Sequence, residues 1–180
     1  DYKKKIDKII FEMKKKGADL QFITASENNA WLLNIRGEDS KYTPIPHGYI
    51  LIDQRKNISF FCDLKKISLS FKKRFNKITF INIKLTSEIL SKQIGKKFII
   101  DRNTCSLFFE KIILKNNILL NQEDPIYILK SIKTKNEIEN IKKAHIFDGS
   151  ALTKYLFWLK KNYIKKKVTE ISAEKNYIIL

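Results

Sequence analysis

The sequence predicts an α/β fold in which a mixed β-sheet is flanked by helices and followed by one long helix. Two observations predict the sheet: a β-hairpin pattern over 49–62, and a regular alternation of helical and extended segments after it. A third predicts the long helix, because a capping-box pattern at Thr134 and Glu137 precedes a helical stripe of apolar residues. A hairpin followed by αβ units gives both parallel and antiparallel strand pairs, with helices on both faces.

The chain begins with a predicted helix. From Tyr2 to Lys16, apolar residues recur at helical spacing, and Gly17 stands where a helix commonly ends. The elements predicted after it are a strand over 18–23, a short helix capped by Ser26, a polar loop to Pro46, and strands over 49–52 and 58–62.

The middle of the chain continues the alternation of helix and strand. Its predicted elements are a helix over 64–75, a strand over 77–83, a helix over 86–94, a strand over 97–100, a helix from a cap at Asn103 or Thr104 to about Leu114, and a strand over 118–120.

The character of the sequence changes at Pro125. A short connector over 124–130 leads to the Thr134 capping box, and the stripe behind it lasts about eight turns at ~3.6 residues each. Residues 169–172 indicate the start of a further helix. We therefore expect one domain over 1–124 and the opening of a second over 125–180, as a piece of a longer polypeptide.

Composition limits the class of protein. The formal net charge of +17 would favour nucleic-acid binding, but only four of the 36 basic residues are Arg, and the lysines are spread along the whole chain. Base recognition favours clustered Arg, so the charge predicts a solvated, lysine-rich surface and argues against nucleic acid as a partner. No apolar stretch is long enough for a transmembrane helix and no signal peptide is visible, so we expect no membrane association and a cytoplasmic protein.

Metal-binding and nucleophile motifs are missing from the sequence. Cys62 and Cys105 lie far apart in apolar contexts, which predicts buried thiols rather than a zinc site. The chain has two histidines and no cluster with metal-ligand spacing, and its five glycines are too isolated for a phosphate-binding loop. We therefore expect no catalytic residue and no metal ligand within this chain.

The loop over 36–42 is the densest candidate for a binding function. It presents Arg36, Asp39 and Tyr42 close together, and His47 follows in the same loop region. Such a loop could bind the amine or the carboxylate of a small ligand, or dock a neighbouring domain. The structural alternative is a turn in which Arg36 pairs locally with Asp39.

Two blocks of sequence carry a family resemblance. Residues 25–37, ASENNAWLLNIRG, closely resemble the segment of three-domain aminopeptidases P (Xaa-Pro aminopeptidases) that reads LDEIAWLLNLRGSD, and 42–49 stand where that family has YNPVFFSY. The second block runs from Pro125 through Ala144-His145-Ile146 to Asp148-Gly149-Ser150-Ala151-Leu152 and is similar to the family pattern PI…LKAIKN…E…AHIRDGAAL. The two blocks occur in the family's order.

This resemblance implies that residues 1–124 are the creatinase/prolidase-type N-terminal (second) domain of such an enzyme. Residues 125–180 would then open its pita-bread catalytic domain, a metallopeptidase that removes the N-terminal residue from peptides with proline in second position. The family uses two divalent metal ions, usually manganese, held by the catalytic domain, and none of these ligands can be assigned within this chain. The implied partners are short proline-containing peptides, the chain's own catalytic domain, and a second copy in a homodimer.

Departures from the family pattern fall in the loop. Residues 26–29 replace LDEI, and 45–48 replace the bulkier VFFS. In the family this loop region tends to approach the active-site mouth, so the resemblance makes Arg36, Asp39, Tyr42 and His47 candidates for substrate-side or domain-docking contacts. An alternative keeps the ancestry without the activity: a pita-bread homologue that has lost its metals and acts as a binding module.

Overall fold

The computed structural model describes residues 2–164 and 168–179 of the chain. By their internal packing, residues up to 131 form one compact unit and residues from 132 onward form another.

A six-stranded mixed sheet is the centre of the first unit. Its strands are β1 (Leu20–Ile23), β2 (Tyr49–Asp53), β3 (Ile58–Cys62), β4 (Ile78–Asn82), β5 (Lys97–Ile100) and β6 (Ile118–Asn121), and their spatial order is β4-β3-β2-β1-β5-β6. β2 is antiparallel to both β1 and β3, whereas the β3–β4, β1–β5 and β5–β6 pairs are parallel. The predicted mixed sheet is confirmed.

Helices cover both faces of this sheet. Those of the first unit are α1 (Tyr2–Lys15), α2 (Ser26–Leu33), α3 (Leu69–Arg74), α4 (Thr86–Ser91), α5 (Leu107–Leu114) and α6 (Ile126–Ser131), with short 3-10 helices at Leu64–Lys66 and Ile83–Leu85. One core packs α1, α2 and Ile126 of α6 against one face, and the other packs Leu90 of α4 and Ile113 of α5 against the opposite face.

Alternation along the strands divides their side chains between these two cores. Ile50 and Ile52 of β2 point to the α1–α2 face, and Leu51 between them points to the α4–α5 face. Phe60 and Phe61 of β3 divide in the same way, and both are almost fully buried. Full burial of side chains of this size stabilises the fold by roughly 1.5–3 kcal/mol each.

The second unit contains α7 (Lys135–Asn162) and α8 (Glu170–Ile179). The predicted capping box is confirmed, since the Thr134 hydroxyl accepts the Glu137 N–H at 3.3 Å and the Glu137 carboxylate accepts the Thr134 N–H at 2.8 Å. α7 then continues for 28 residues, as its apolar stripe predicts.

Three predicted helix starts are wrong. Ser26 is the first helical residue rather than the cap, because Ala25 occupies the extended cap position without a side-chain bond. The helix predicted over 64–75 is broken at Ile67, which is extended, and Ser68 caps α3 separately. Neither Asn103 nor Thr104 caps α5: the Ser106 side chain does so, while 101–104 form a turn.

The predicted connector over 124–130 is also wrong, because it contains α6. The Asp124 carboxylate accepts the Ile126 N–H at 3.0 Å, satisfying one of the unpaired amides at the start of this helix. Pro125 precedes the first helical residue, where the absence of an N–H carries no penalty. In the packing, α6 belongs to the same unit as the sheet.

Candidate functional site

The topology brings several loops to one end of the sheet. β1, β5 and β6 run parallel, so the segments that follow them leave from the same end. Because β2 is antiparallel to both its neighbours, the residues before β2 and those after β3 emerge at this end as well. The predicted binding loop, the 3-10 helix after β3 and the segment that leads into α6 therefore lie at one end of the fold.

The loop that contains the predicted site residues is closed at its base. The Gly37 N–H donates to the Pro44 carbonyl at 3.3 Å. A Cβ atom at Gly37 would lie 2.7 Å from the Pro46 Cα, so only glycine permits this approach. The two ends of the loop thus touch, as in a compact Ω-loop.

Asp39 fixes this loop to the neighbouring segment. Its Oδ2 accepts the backbone N–H of His47 at 2.7 Å, and its Oδ1 pairs with the Lys66 ammonium in the 3-10 helix after β3. The Asp39 side chain is only 8% exposed. The hydrogen bond from Lys66 and that from the His47 amide hold the pKa of Asp39 below its usual value, and the same pairing raises the pKa of Lys66.

These contacts give Asp39 a role in holding the loop. Both of its oxygens are occupied within the protein, so an incoming ligand would have to displace one of those partners to reach the carboxylate. Hydrogen bonds from two donors favour the charged form of a carboxylate. Asp39 therefore positions the loop rather than presenting a free negative charge.

The other predicted residues are on the surface of the loop. Arg36 and His47 are exposed, and Tyr42 is 67% exposed with the Lys41 ammonium 4.9 Å from its ring centre. The Arg36 Nη1 donates to the Ile35 carbonyl at 2.8 Å. The local turn in which Arg36 would pair with Asp39 is not formed: among the described residues, Lys66 takes that place.

A cleft of about 480 Å³ opens beside the loop. Ile35 and Phe60 form its buried floor, and the partly buried Ile67 and Phe71 continue it. The charged residues Arg36, Glu38, Asp39 and Lys66 line the same cleft. The structure thus brings Arg36 and Asp39 to one cleft and joins Asp39 to the His47 backbone, whereas Tyr42 lines a separate, open groove.

A buried polar network, which the sequence analysis missed, lies at the same end of the sheet. Asp124 is 4% exposed, and its carboxylate accepts hydrogen bonds from Gln21 Nε2 at 3.0 Å and from Asn28 Nδ2 at 2.7 Å, besides the Ile126 amide. The Asp124 N–H in turn donates to the Asp101 carboxylate at 3.1 Å. Burial raises the pKa of Asp124, and the hydrogen bonds from the Ile126 amide and Asn28 oppose that rise.

This network joins the two sequence blocks that carry the family resemblance. The Lys130 ammonium donates to Asn28 Oδ1 at 2.6 Å, and the Tyr127 hydroxyl donates to Glu27 Oε1 at 3.1 Å. Both contacts connect α2 with α6, across a sequence separation of about 100 residues. The signal available in the sequence was the pair of adjacent amides, Asn28 and Asn29, directly before the apolar run Ala30-Trp31-Leu32-Leu33, since buried amides require partners.

The cysteines are buried thiols, and the described residues contain no candidate metal site. Cys62 and Cys105 are buried, as predicted, and burial raises the pKa of each thiol to about 11. Among the described residues, no group of His, Cys, Asp and Glu side chains could hold a metal ion. Within the same part of the chain, no helix is long and apolar enough to cross a membrane.

Comparison with known protein families decides the identity of this fold. A family model described as the creatinase/prolidase N-terminal domain matches residues 1–137. The chain belongs to this family. The resemblance found in the sequence is therefore confirmed, and the creatinase/prolidase-type domain accounts for the mixed sheet and its flanking helices.

Curated relatives of this creatinase/prolidase-type chain are Xaa-Pro aminopeptidases. Xaa-Pro aminopeptidase 1 of Dictyostelium discoideum is 33% identical over 165 residues, covering 90% of this chain and 26% of the relative. Xaa-Pro aminopeptidase ApepP of Drosophila melanogaster is 29% identical over 179 residues, covering 94% of this chain and 28% of the relative. The chain thus spans about a quarter of the length of the relatives that it matches.

Solved structures share the same fold. The X-prolyl aminopeptidase of Caenorhabditis elegans, described as a cytosolic enzyme with a di-nuclear active site, superposes with a TM-score of 0.83 at 23% identity, over 98% of this chain and 30% of that one. The prolidase of Pyrococcus furiosus gives a TM-score of 0.61 at 23% identity, over 82% of this chain and 41% of that one.

Proposed function

We propose that this chain is the non-catalytic specificity and access domain of a metal-dependent Xaa-Pro aminopeptidase, together with the start of its catalytic domain. The whole enzyme would remove the N-terminal residue from peptides with proline in second position. The observation that carries the proposal is that the relatives aligned over about nine-tenths of this chain are named Xaa-Pro aminopeptidases.

In this proposal the chemistry belongs to the rest of the longer protein. Residues 1–124 would be the N-terminal-type domain, and 125–180 would open the pita-bread catalytic domain. Two divalent metal ions, manganese in our proposal, would bind in the part of that catalytic domain that follows this chain in the longer protein; the described residues contain no candidate metal site. When bound, such ions supply Lewis-acid activation of water and of the scissile carbonyl.

The chain's own contribution would be shape and positioning. In our proposal this domain narrows access to the active site, so that short or unstructured peptide ends would enter and folded proteins would be excluded. The di-nuclear, cytosolic description of the C. elegans relative supports two metals and a cytoplasmic location. Homodimerisation of the whole enzyme belongs to the same proposal.

The activity is tested with the full-length parent protein and an X-Pro-Pro peptide. We expect release of the N-terminal residue with manganese and loss of that activity after chelation. The 180-residue chain alone should be inactive, and an X-Ala-Pro peptide should be a much poorer substrate of the parent. Failure of a folded, manganese-loaded parent to cleave X-Pro-Pro would instead favour a metal-less binding module.

The exposed loop residues are proposed as substrate-side or domain-docking contacts. Three single variants of the parent, Arg36→Ala, Tyr42→Ala and His47→Ala, should each raise KM for X-Pro-Pro several-fold. The expected loss in kcat/KM corresponds to roughly 0.5–1.5 kcal/mol, because each variant removes a polar or aromatic surface contact. Their exposure means that folding should be unaffected. Arg55→Ala, in the exposed turn between β2 and β3, is the control, and unchanged kinetics of all three variants would remove this assignment.

A further inference from the structure

The cleft beside the loop combines an apolar floor with the cationic side chain of Arg36. Ile35 and Phe60 are buried beneath it, and Phe71 extends the floor towards α3. A volume of about 480 Å³ lies within the range of small-molecule sites, roughly 300–1,000 Å³. A ligand that fills such a cleft carries an apolar group as large as one or two amino-acid side chains.

The charges around the cleft differ in their availability. Lys66 and Asp39 neutralise each other in a direct ion pair, and Asp39 is further held by the His47 amide. Arg36 makes one hydrogen bond, from Nη1 to the Ile35 carbonyl, and its other N–H groups have no acceptor among residues 2–164 and 168–179. A guanidinium presents several donors in a planar fork suited to a carboxylate.

The structure favours a carboxylate over an amine as the ligand of this cleft. Asp39 already accepts from Lys66 and from the His47 amide, and the remaining carboxylate of the lining, Glu38, is exposed on the rim. A carboxylate needs a donor fork whose position is fixed, which Arg36 provides because its bond to Ile35 holds the guanidinium at the cleft. Glu38 is the exposed carboxylate on this rim and weakens anion binding by like-charge repulsion.

We propose that this cleft binds an α-carboxylate carried by an apolar residue, with Arg36 taking the carboxylate and the Ile35–Phe60–Phe71 floor taking the side chain. The chemistry is shared by the C-terminus of a short peptide and by a free apolar amino acid. The site lies wholly within the first unit, so the proposal does not depend on aminopeptidase activity.

The test is a titration of the isotope-labelled 180-residue chain with N-acetyl-L-leucine, followed by NMR of the backbone amides. We expect saturable shifts confined to the loop over 35–39 and to 66–71. N-acetyl-L-leucinamide, which lacks the carboxylate, and N-acetylglycine, which lacks the apolar side chain, should each bind about tenfold more weakly. Absence of saturable shifts up to the solubility limit of N-acetyl-L-leucine overturns the proposal, as does equal binding of the amide.

Three variants of the chain complete the test. Arg36→Gln should weaken N-acetyl-L-leucine binding about tenfold, whereas Arg55→Gln, at the opposite end of β2, should leave it unchanged. Glu38→Gln should strengthen it about twofold by removing the like charge. All three positions are exposed, and an unchanged urea midpoint verifies folding. Equal affinity of Arg36→Gln and wild type would show that Arg36 is not the carboxylate ligand.

Free L-leucine distinguishes the two sources of the ligand. If it binds more weakly than N-acetyl-L-leucine, the site takes peptide C-termini, because an ammonium group next to the carboxylate is then unfavourable. If it binds more tightly, the site takes free amino acids, with Glu38 accepting the ammonium. Either order supports the carboxylate site.

Discussion

Replacing Asp124 with alanine is expected to lower the free energy of unfolding by about 3–4 kcal/mol. The variant would leave three buried donors without their acceptor: Gln21 Nε2, Asn28 Nδ2 and the Ile126 amide. A buried donor that loses its partner costs roughly 1–3 kcal/mol, and relief of the buried charge offsets part of the sum. Urea unfolding at neutral pH, followed by circular dichroism, measures the change.

Glu123→Ala is the matched control for this prediction. Glu123 is the exposed acidic neighbour of Asp124, so its replacement should change the free energy of unfolding by less than about 0.5 kcal/mol. A loss in Asp124→Ala no larger than that in Glu123→Ala would show that the network does not stabilise the contact between α2 and α6.

The pH dependence of stability should carry the signature of Asp124. Because burial raises its pKa in the folded state, the folded protein binds the Asp124 proton more tightly than the unfolded chain does. The resulting contribution to stability is fully present below the pKa of the unfolded state, about 3.9. It is lost as pH rises through the raised pKa of the folded state. The stability advantage of wild type over Asp124→Asn should therefore shrink as pH rises from about 4.

Gly48→Ala is the second variant with a large expected effect, a loss of about 2–4 kcal/mol in the free energy of unfolding. A Cβ at this position would lie 2.6 Å from the Phe61 carbonyl oxygen and 2.7 Å from the Phe60 ring. Both neighbours are buried, and the Gly48 carbonyl accepts the Asn29 side chain at 2.8 Å, so the backbone has little freedom to shift.

Gly149→Ala provides a control of opposite sign. Gly149 lies within α7, and a Cβ there would meet nothing within 4 Å. Alanine in an open helical position stabilises by about 0.5–1 kcal/mol. Urea unfolding of both variants should therefore shift the transition in opposite directions, and a Gly48→Ala variant as stable as wild type would contradict the close approach.

Local sequence was sufficient for most of the elements. The strands at Ile58–Cys62 and Lys97–Ile100 begin and end where their apolar patterns predict, and the Thr134 capping box begins α7. The errors concern the ends of helices and the existence of α6. At these places the structure depends on capping side chains that are not part of the apolar periodicity. Ser68 and Ser106 are the N-caps at which α3 and α5 begin. The start of α6 is fixed by the Asp124 carboxylate, whose other partners, Gln21 and Asn28, are far away in the sequence.

The partners of the candidate site could not be predicted in the same way. From the local sequence we expected a turn in which Arg36 pairs with Asp39. In the structure Asp39 pairs with Lys66, which is 27 residues away along the chain. Asn28 and Asp124 are separated by 96 residues and meet because α2 and α6 pack on the same face of the sheet. Such partners depend on which strands are neighbours and in which direction they run.

By itself the sequence determined the family and the mixed sheet with its long following helix, and it singled out the loop for which we propose a binding function. Periodicity, turn chemistry and a family pattern are encoded within short windows of the chain, which is why they can be read directly. Only the tertiary structure decided which charges of that loop are available. Asp39 is occupied by Lys66 and Arg36 is left free to bind an anion, since the topology places the segment after β3 against the loop.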